Sequence, residues 1–572
     1  MRILLLTRSF NSLTQRLFVD LAERGHDLAV EYDIADSVTE EAVRLFAPDV
    51  VIASFMKRAI PERVWREHLC LVVHPGIVGD RGPSALDWAI RDGEREWGVT
   101  VLQAEADMDA GPIWAAQTFA MRAGRKSSLY RNEATEAASR AVLEALGHLA
   151  SGGFRPTPLA EVRNARGRLR PAMTDADRRI DWLRDDTATV LAKIRASDGV
   201  PGVLDTLFGV PCRLYDACEE PGDVPVALPG DVIARRDDAL LRRTRDGAVW
   251  IGHVKRLDRE HTFKLPVGLA FAPQFPALPS RPVALDADTG GYRELRYTEA
   301  GGVGYLHFAS NNGAMSTAQC ERLLAAYHHA LTRPTRVLVL MGGPDFWSNG
   351  IHLNVIEAAD SPADESWRNI NAIDDVTEAI IRTTDRLVVA AMQGNAGAGG
   401  VFMALAADEV WARQGVLLNP HYKNMGNLYG SEYWTYLLPR RVKSGPPQAV
   451  MQQRLPVSAG RARSIGLVDA VLATDPTQFL SDVRDRAAAL ASDPALVHRV
   501  AEKRARRAAD EAAKPLAAYR DAELAEMRRN FYGFDPSYHV ARANFIHKVP
   551  PSWTPRHLAV HREPRRIAKE SG

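Results

Sequence analysis

QGNAGAGGVFMALAADEVWARQGVLLNPHYKNMGNLYGSEYW, residues Gln393 to Trp434, follows the apolar run Leu387–Met392, which predicts a buried strand. Glycines at 394, 397, 399 and 400 then open a helix expected over Val401–Asp408. A strand that feeds glycines into a helix N-terminus leaves backbone N–H groups free to point at an oxygen or a phosphate. The polar, aromatic run beyond it carries Tyr422 and Glu432, ten residues apart. A carboxylate among aromatic rings is costly to place in a core, so this run reads as the wall of a pocket. Taken alone, the glycines fit close helix–strand packing equally well.

A second stretch of the same kind changes the balance. Thr335–Met341 (TRVLVLM) predicts another buried strand, followed by GGPDFWSNGIHLN, Gly342–Asn354. Two strand–glycine–helix turns, each aiming one N–H at a common point, make an oxyanion hole. GGPDFWSNGIHL and QGNAGAGGVFMALAAD resemble the two corresponding segments of the crotonase (enoyl-CoA hydratase/isomerase) superfamily. The resemblance implies an oxyanion hole from the N–H groups of Ile351 and Gly399, with Gly350 and Gly400 beside them at coenzyme A. Phe402 stands at the first catalytic glutamate position of the hydratases and Tyr422 near the second. The resemblance therefore implies acyl-CoA thioester binding without hydratase chemistry.

With 572 residues the chain is too long for one core and predicts several domains. Hydrophobic residues make up 46% and charged residues 25%, a globular balance. A formal net charge of +1 gives no bulk attraction to nucleic acid or to an anionic membrane. Four cysteines, at 70, 212, 218 and 320, lack C-x-x-C spacing and lie in or beside apolar stretches. That pattern points away from a zinc site or a disulfide framework and toward a reducing compartment. Neither a signal peptide nor a membrane span is expected, so the reading is a cytoplasmic protein with no nucleic-acid or membrane partner. No ligand-spaced His/Cys cluster occurs, and no metal is assigned.

In the first segment, strands at Arg2–Leu6, Asp27–Tyr32, Asp49–Phe55 and Leu69–His74 alternate with helices at Ser12–Arg24 and Thr39–Phe46. Such alternation predicts a parallel, doubly wound α/β sheet whose ligands sit beyond the carboxyl ends of its strands. His74 stands at one such end, in VVHPGIVGDRGPSALDWAI, ahead of a rigid Gly/Pro-rich loop. Asp109, in the turn Asp107–Pro112, follows the strand Val99–Gln103. A carboxylate orienting an imidazole is a common acid–base arrangement, although a histidine at a strand end also serves plain structure. These residues resemble the site of the folate-dependent formyltransferases, with His74 and Asp109 at two of its three catalytic positions. The third, an asparagine, is Val72 here. Losing such an oxyanion donor costs on the order of 3 kcal/mol unless another group replaces it.

Short strands at Pro211–Asp216, Gly230–Ala234 and Val249–Val254, after RRIDW (Arg178–Trp182), predict a small barrel. This part resembles the OB-like C-terminal domain of the formyltransferases. Its arginines at 235, 236, 242, 243 and 245 alternate with aspartates and read as a solvated face. Prolines between 266 and 282 predict an extended spacer holding two halves apart. The domains expected are 1–165 formyltransferase-like, 166–275 OB-like, 276–282 a Pro-rich linker, 283–480 a crotonase-like β/α spiral, and 481–572 a helical extension.

In the extension, Lys503, Arg504, Arg506 and Arg507 read as a solvated helix face, or as a clamp on CoA phosphates. Tyr538–Val549, with Arg542, is the better ligand-binding candidate, and residues beyond about 550 are expected to fray. Arg8, Gln15 and Arg131 are candidates to hold CoA in the first half. The pairing of a formyltransferase half with a crotonase half resembles the HypX (HoxX) family of NiFe-hydrogenase maturation proteins, over nearly the whole chain. The resemblance implies formyl transfer from 10-formyl-tetrahydrofolate to coenzyme A, then release of carbon monoxide from formyl-CoA. It also implies transient work with other maturation proteins or the hydrogenase large subunit. For the second step Glu432 and Tyr422 would act as base and partner, in either order.

Overall fold

The computed structural model describes residues 1–443 and 445–563. Its first sheet is built from β1 (Arg2–Thr7), β2 (Asp27–Tyr32), β3 (Val50–Phe55), β4 (Cys70–His74), β5 (Glu96–Gln103) and β6 (Ile113–Ala120), in the order β2-β1-β3-β4-β5-β6. The four strands β1 to β4 are parallel, as the βα alternation requires, and Ile3–Leu6 are fully buried. The sheet is not parallel throughout. β5 runs antiparallel to β4 across the 75–95 connection, which holds the helix Ala85–Arg91, and β6 runs antiparallel to β5 because the short 104–112 connection returns as a hairpin. Helices Ser12–Ala22 and Thr135–Ser151 pack on one face and Asp36–Phe46 on the other. His74 thus sits at the carboxyl end of the last parallel strand, where the direction reverses.

The second sheet is antiparallel, with β7 (Val203–Leu207), β8 (Val210–Glu219), β9 (Val232–Arg236), β10 (Ala239–Arg243), β11 (Ala248–Arg256) and the short β12 (Leu265–Pro266). Its core takes Val190, Leu191 and Ile194 from the helix Thr187–Ser197. The arginines here are not one solvated face. Arg236 lies over Trp250 at 4.4 Å and Arg242 over Trp182 at 3.9 Å, both buried, with Glu220 and Asp205 as ion partners. A guanidinium stacked on an indole loses little by leaving water, which overrides the alternating pattern. The proline-rich link is likewise not a free spacer. Arg235 N–H donates to Pro279 and Arg281 N–H to Arg235, so the link runs along the edge of β9.

The third region has two sheets. One is β13 (Leu295–Ala300), β14 (Val303–Phe308), β15 (Val337–Met341), β17 (Leu387–Met392), β19 (Glu409–Arg413) and β22 (Ala470–Leu472), parallel from β14 onward. The other is β16 (Phe346–Ser348), β18 (Asn395–Gly397), β20 (Leu417–Asn419) and β21 (Val457–Ser458). The chain leaves β15 and β17 in the large sheet and enters β16 and β18 in the small one, so both glycine turns lie where the sheets part. The helix after β18 starts at Gly399, two residues earlier than expected, and is buried throughout. Helix Thr317–Leu331 is capped by Ser316, with Gln319 closing the reciprocal bond.

Helices Pro476–Ser492, Leu496–Ala513, Leu516–Tyr532 and Ser537–Ile546 wrap this region. Two members of the basic run turn inward. Lys503 is buried on Asp408 at 2.5 Å, and Arg507 pairs with Glu511 beneath Tyr436, while Arg504 and Arg506 stay exposed. Residues 550–563 do not fray. Val30 donates to Leu558 O at 2.9 Å, and Glu31 takes Thr554, His561 at 3.0 Å and Arg562 at 2.8 Å, so the segment closes the exposed edge of β2. The rest of that expectation, residues 564–572, lies outside the described residues.

Candidate active sites

β4 delivers His74 to the rim of a cavity of about 900 Å³, lined also by Phe55, Trp65, Val72, Asp109 and Tyr130. The imidazole is buried with a carboxylate on each nitrogen. Nδ1 lies 3.5 Å from Asp109 Oδ1 and Nε2 lies 3.0 Å from Asp80 Oδ2. Asp109 has a φ of 56° and its second oxygen accepts from Gly82 N–H at 3.2 Å, which ties it to the Gly/Pro-rich loop. Asp80 is the closer partner, and reasoning from sequence missed it. The available signal was an acid six residues after the histidine, inside a loop too rich in glycine and proline to be flexible. Gly76 is needed there, since a Cβ would stand 2.4 Å from His74 Nε2. One ring nitrogen can therefore exchange a proton with a substrate while the other stays anchored.

Between the halves, the four candidate CoA-binding side chains do not all meet. Gln15 accepts from Asn419 Nδ2 at 3.1 Å, and Arg131 donates to Asn312 at 3.0 Å with its guanidinium over Phe346. These two lie on the seam that joins the first region to the third. Asp345 holds the same seam, taking Arg125 at 3.1 Å, Asn132 at 3.0 Å and the Ser128 hydroxyl. Arg8 instead donates to Asp33 O at 3.4 Å. Arg542 is buried, with Nε on Glu357 at 2.7 Å and Nη1 on His539 at 2.8 Å.

The second site gathers around Glu432, whose side chain is 1% exposed. Tyr422 Oη donates to Glu432 Oε2 at 2.6 Å, and Ser431 N–H approaches the same oxygen at 3.2 Å. Phe402 stacks on Tyr422 with ring centres 5.5 Å apart, so the two departures from the hydratase pattern form one aromatic wall. A Cβ on Gly399 would stand 1.9 Å from Glu432 Oε1, which fixes the carboxyl against the start of that helix. Among the described residues the N–H groups of Ile351 and Gly399 find no hydrogen-bond acceptor. A Cβ on Gly350, where φ is 78°, would lie 3.4 Å from Gly399 N, so the two turns approach each other there. Gly400 packs without room, a Cβ falling 2.1 Å from Ser348 O.

Burial pushes the Glu432 carboxyl well above the usual carboxylate range, and the nearby Asp374 adds to this. Tyr422 is driven up by burial and by the Glu432 charge. Glu432 and Tyr433 both have a φ of 58°, a left-handed conformation costing roughly 1–2 kcal/mol per non-glycine residue. Such strain persists only when neighbours hold it.

Residues 298–556 match the enoyl-CoA hydratase/isomerase family, 26–146 the formyl transferase family and 172–262 the formyl transferase C-terminal domain. The chain is 58% identical over 562 residues to the hydrogenase maturation factor HoxX of Bradyrhizobium diazoefficiens, covering 98% of this chain and 97% of that protein. It superposes on the crystal structure of HypX from Aquifex aeolicus in complex with tetrahydrofolic acid with a TM-score of 0.94 at 47% identity, covering 98% of this chain and 99% of that one. A methionyl-tRNA formyltransferase of Chromobacterium violaceum is 26% identical over 231 residues, 39% of this chain and 72% of that protein.

Proposed function

The chain belongs to the HypX/HoxX family of hydrogenase maturation factors, and on that premise we propose that it makes carbon monoxide for the hydrogenase iron in two steps. In the first, the sulfur of coenzyme A attacks the formyl carbon of 10-formyl-tetrahydrofolate. A C–S bond forms, the C–N10 bond breaks, and N10 takes the thiol proton and leaves as the neutral N–H amine of tetrahydrofolate. His74, anchored at Nε2 by Asp80, carries the thiol proton toward N10 on Nδ1, which has only the longer Asp109 contact, since only the thiolate attacks well. The 900 Å³ cavity beside His74 is of a size to admit a folate ring system, in keeping with the folate bound by the Aquifex relative.

In the second step formyl-CoA loses carbon monoxide. The Glu432 carboxylate takes the formyl hydrogen as a proton, and the C–S bond breaks with its electron pair leaving on sulfur. The sulfur takes a proton from the Tyr422–Glu432 pair, so the products are carbon monoxide and coenzyme A. The Ile351 and Gly399 N–H groups hold the carbonyl oxygen while the hydrogen is removed. A carboxyl whose proton affinity is raised well above the usual carboxylate range suits removal of a weakly acidic hydrogen. The observation that carries this reading is the Tyr422–Glu432 contact of 2.6 Å set against Gly399.

Val72 in place of the formyltransferase asparagine favours a second reading, in which the first half binds folate without transferring its formyl group. Headspace gas over protein, 10-formyl-tetrahydrofolate and coenzyme A, trapped with deoxyhaemoglobin, separates the two. Carbon monoxide supports the two-step enzyme. Formyl-CoA without gas leaves only the transferase, and neither product leaves an assembly factor.

A further inference from the structure

The loop that carries Glu432 is held from outside by two buried acids on two different helices. Asp374, from Pro362–Arg382, accepts from Glu432 N–H at 2.7 Å and from Ser431 Oγ at 2.7 Å. Glu523, from Leu516–Tyr532, accepts from Tyr433 N–H at 2.9 Å, Thr435 N–H at 2.8 Å and Thr435 Oγ1 at 2.5 Å. Both acids are fully buried. Arg520, one turn before Glu523, stands 3.9 Å from Asp374 and 2.7 Å from Asp375, linking the two helices. Every N–H they take belongs to the segment containing the two left-handed residues, Glu432 and Tyr433. Relaxing that backbone would swing the Glu432 carboxyl away from Gly399.

We propose that Asp374 and Glu523 are positioning residues of the decarbonylation step, clamping residues 431–435 so that the Glu432 carboxyl stays packed against the Gly399 Cα. The inference rests on the role given to Glu432 above. It also assigns a task to the C-terminal helices, which bring Glu523 beneath the site from outside the two motif segments. The groups acting on Glu432 are Tyr422 and the Ser431 N–H from its own loop, Asp374 from one helix and Glu523 from the other, while Asp375 and Arg520 act on Asp374, and Glu378 and Arg520 on Tyr433. Cys320 faces Glu432 from Thr317–Leu331. Burial raises Asp374 and Glu523, and their N–H and hydroxyl donors pull them back down. Burial is the main cause that holds the proton on Glu432, and the Asp374 charge adds to it.

The test uses the full chain, with added formyl-CoA for the second step and 10-formyl-tetrahydrofolate with coenzyme A for the first. Glu523→Gln turns an amide N–H toward the Tyr433 N–H and should lower kcat for gas release about tenfold or more, because small displacements of a catalytic group are costly. KM for formyl-CoA and the rate of the first step should stay within about twofold, since neither thioester binding nor the His74 site is touched. Asp374→Asn keeps the acceptor for Glu432 N–H but removes the charge, and should move the acid limb of kcat to lower pH. Thr435→Val deletes one Glu523 contact and should give a smaller loss of kcat, which keeps the test available should Glu523→Gln fold poorly. Wild-type kcat and an unmoved acid limb in all three, even with a lower Tm, would make the two acids structural and overturn the inference. Glu432→Gln run in parallel separates the layers. If that variant still releases gas, the role of Glu432 fails, and the clamp with it.

Discussion

The two candidate sites solve opposite problems. His74 lies on the rim of an open cavity, at the end of a strand, with carboxylates on both nitrogens. Glu432 is sealed from water on a strained loop, with a phenol at 2.6 Å and further acids behind its backbone. On the proposed reading the first site admits a large folate and needs width, which parallel strand ends provide at little conformational cost. Removal of a weakly acidic hydrogen needs a base of raised proton affinity, and dryness with nearby like charge provides that. The strain then falls on the loop and must be held by other elements.

The contrast can be broken most directly at the two groups proposed to react. Glu432→Gln should cut gas release by about 10²–10⁴-fold while formyl-CoA accumulates, measured by headspace gas against thioester chromatography. His74→Ala should cut formyl-CoA formation over a similar span, about 10²–10⁴-fold, yet leave gas release from added formyl-CoA unchanged. An effect of His74→Ala on both steps would mean the sites are not separate.

Gly399→Ala comes next. Its Cβ would meet Glu432 Oε1 at 1.9 Å, so the carboxyl must move or the turn must open. We expect a loss of stability of about 1–3 kcal/mol and a fall in gas release, with the first step intact.

The pH dependence sharpens the same contrast. Glu432 acts as a base only when ionised, so gas release should fall as pH drops through a value well above the ordinary glutamate range. Its folded proton affinity exceeds that of the unfolded chain, so its contribution to stability is complete below about pH 4.3 and is lost as pH rises through the folded value. Thermal melts of Glu432→Gln should therefore lose less stability than the parent on the alkaline side. The smallest effect expected is at the seam, where Gln15→Ala removes the Asn419 hydrogen bond and should cost about 0.5–1.5 kcal/mol, read in denaturant melts.

Legibility followed locality. Tyr422 and Glu432 stand in one stretch behind a strand–glycine–helix turn, and the contact between them needs only that loop to fold back. His74 was readable from strand periodicity, but the reversal at β5 was not, because a strand–helix–strand alternation reads the same whether the second strand returns parallel or antiparallel. Asp80 was hidden by its loop, which reads as turn chemistry. Asp374 and Glu523 act on residues 58 and 90 positions away, and no local pattern reports that. A trace of them existed all the same. Asp374 falls on the helix face of Ile370, Thr377 and Ile381, and Glu523 on that of Leu516 and Met527, where an acid interrupts an apolar stripe. The inward turn of Lys503 and Arg507 has the same lesson, since a charge run reads as solvated until its partners Asp408 and Glu511 are seen.

The central claim is that one carbon atom passes from folate to sulfur and then leaves as gas. It is tested by supplying 10-formyl-tetrahydrofolate labelled with carbon-13 in the formyl group, together with coenzyme A, and analysing the gas bound by deoxyhaemoglobin. The account predicts labelled carbon monoxide that requires coenzyme A, disappears in Glu432→Gln, and is replaced there by labelled formyl-CoA. Labelled formate with no labelled gas in the wild-type protein would contradict it.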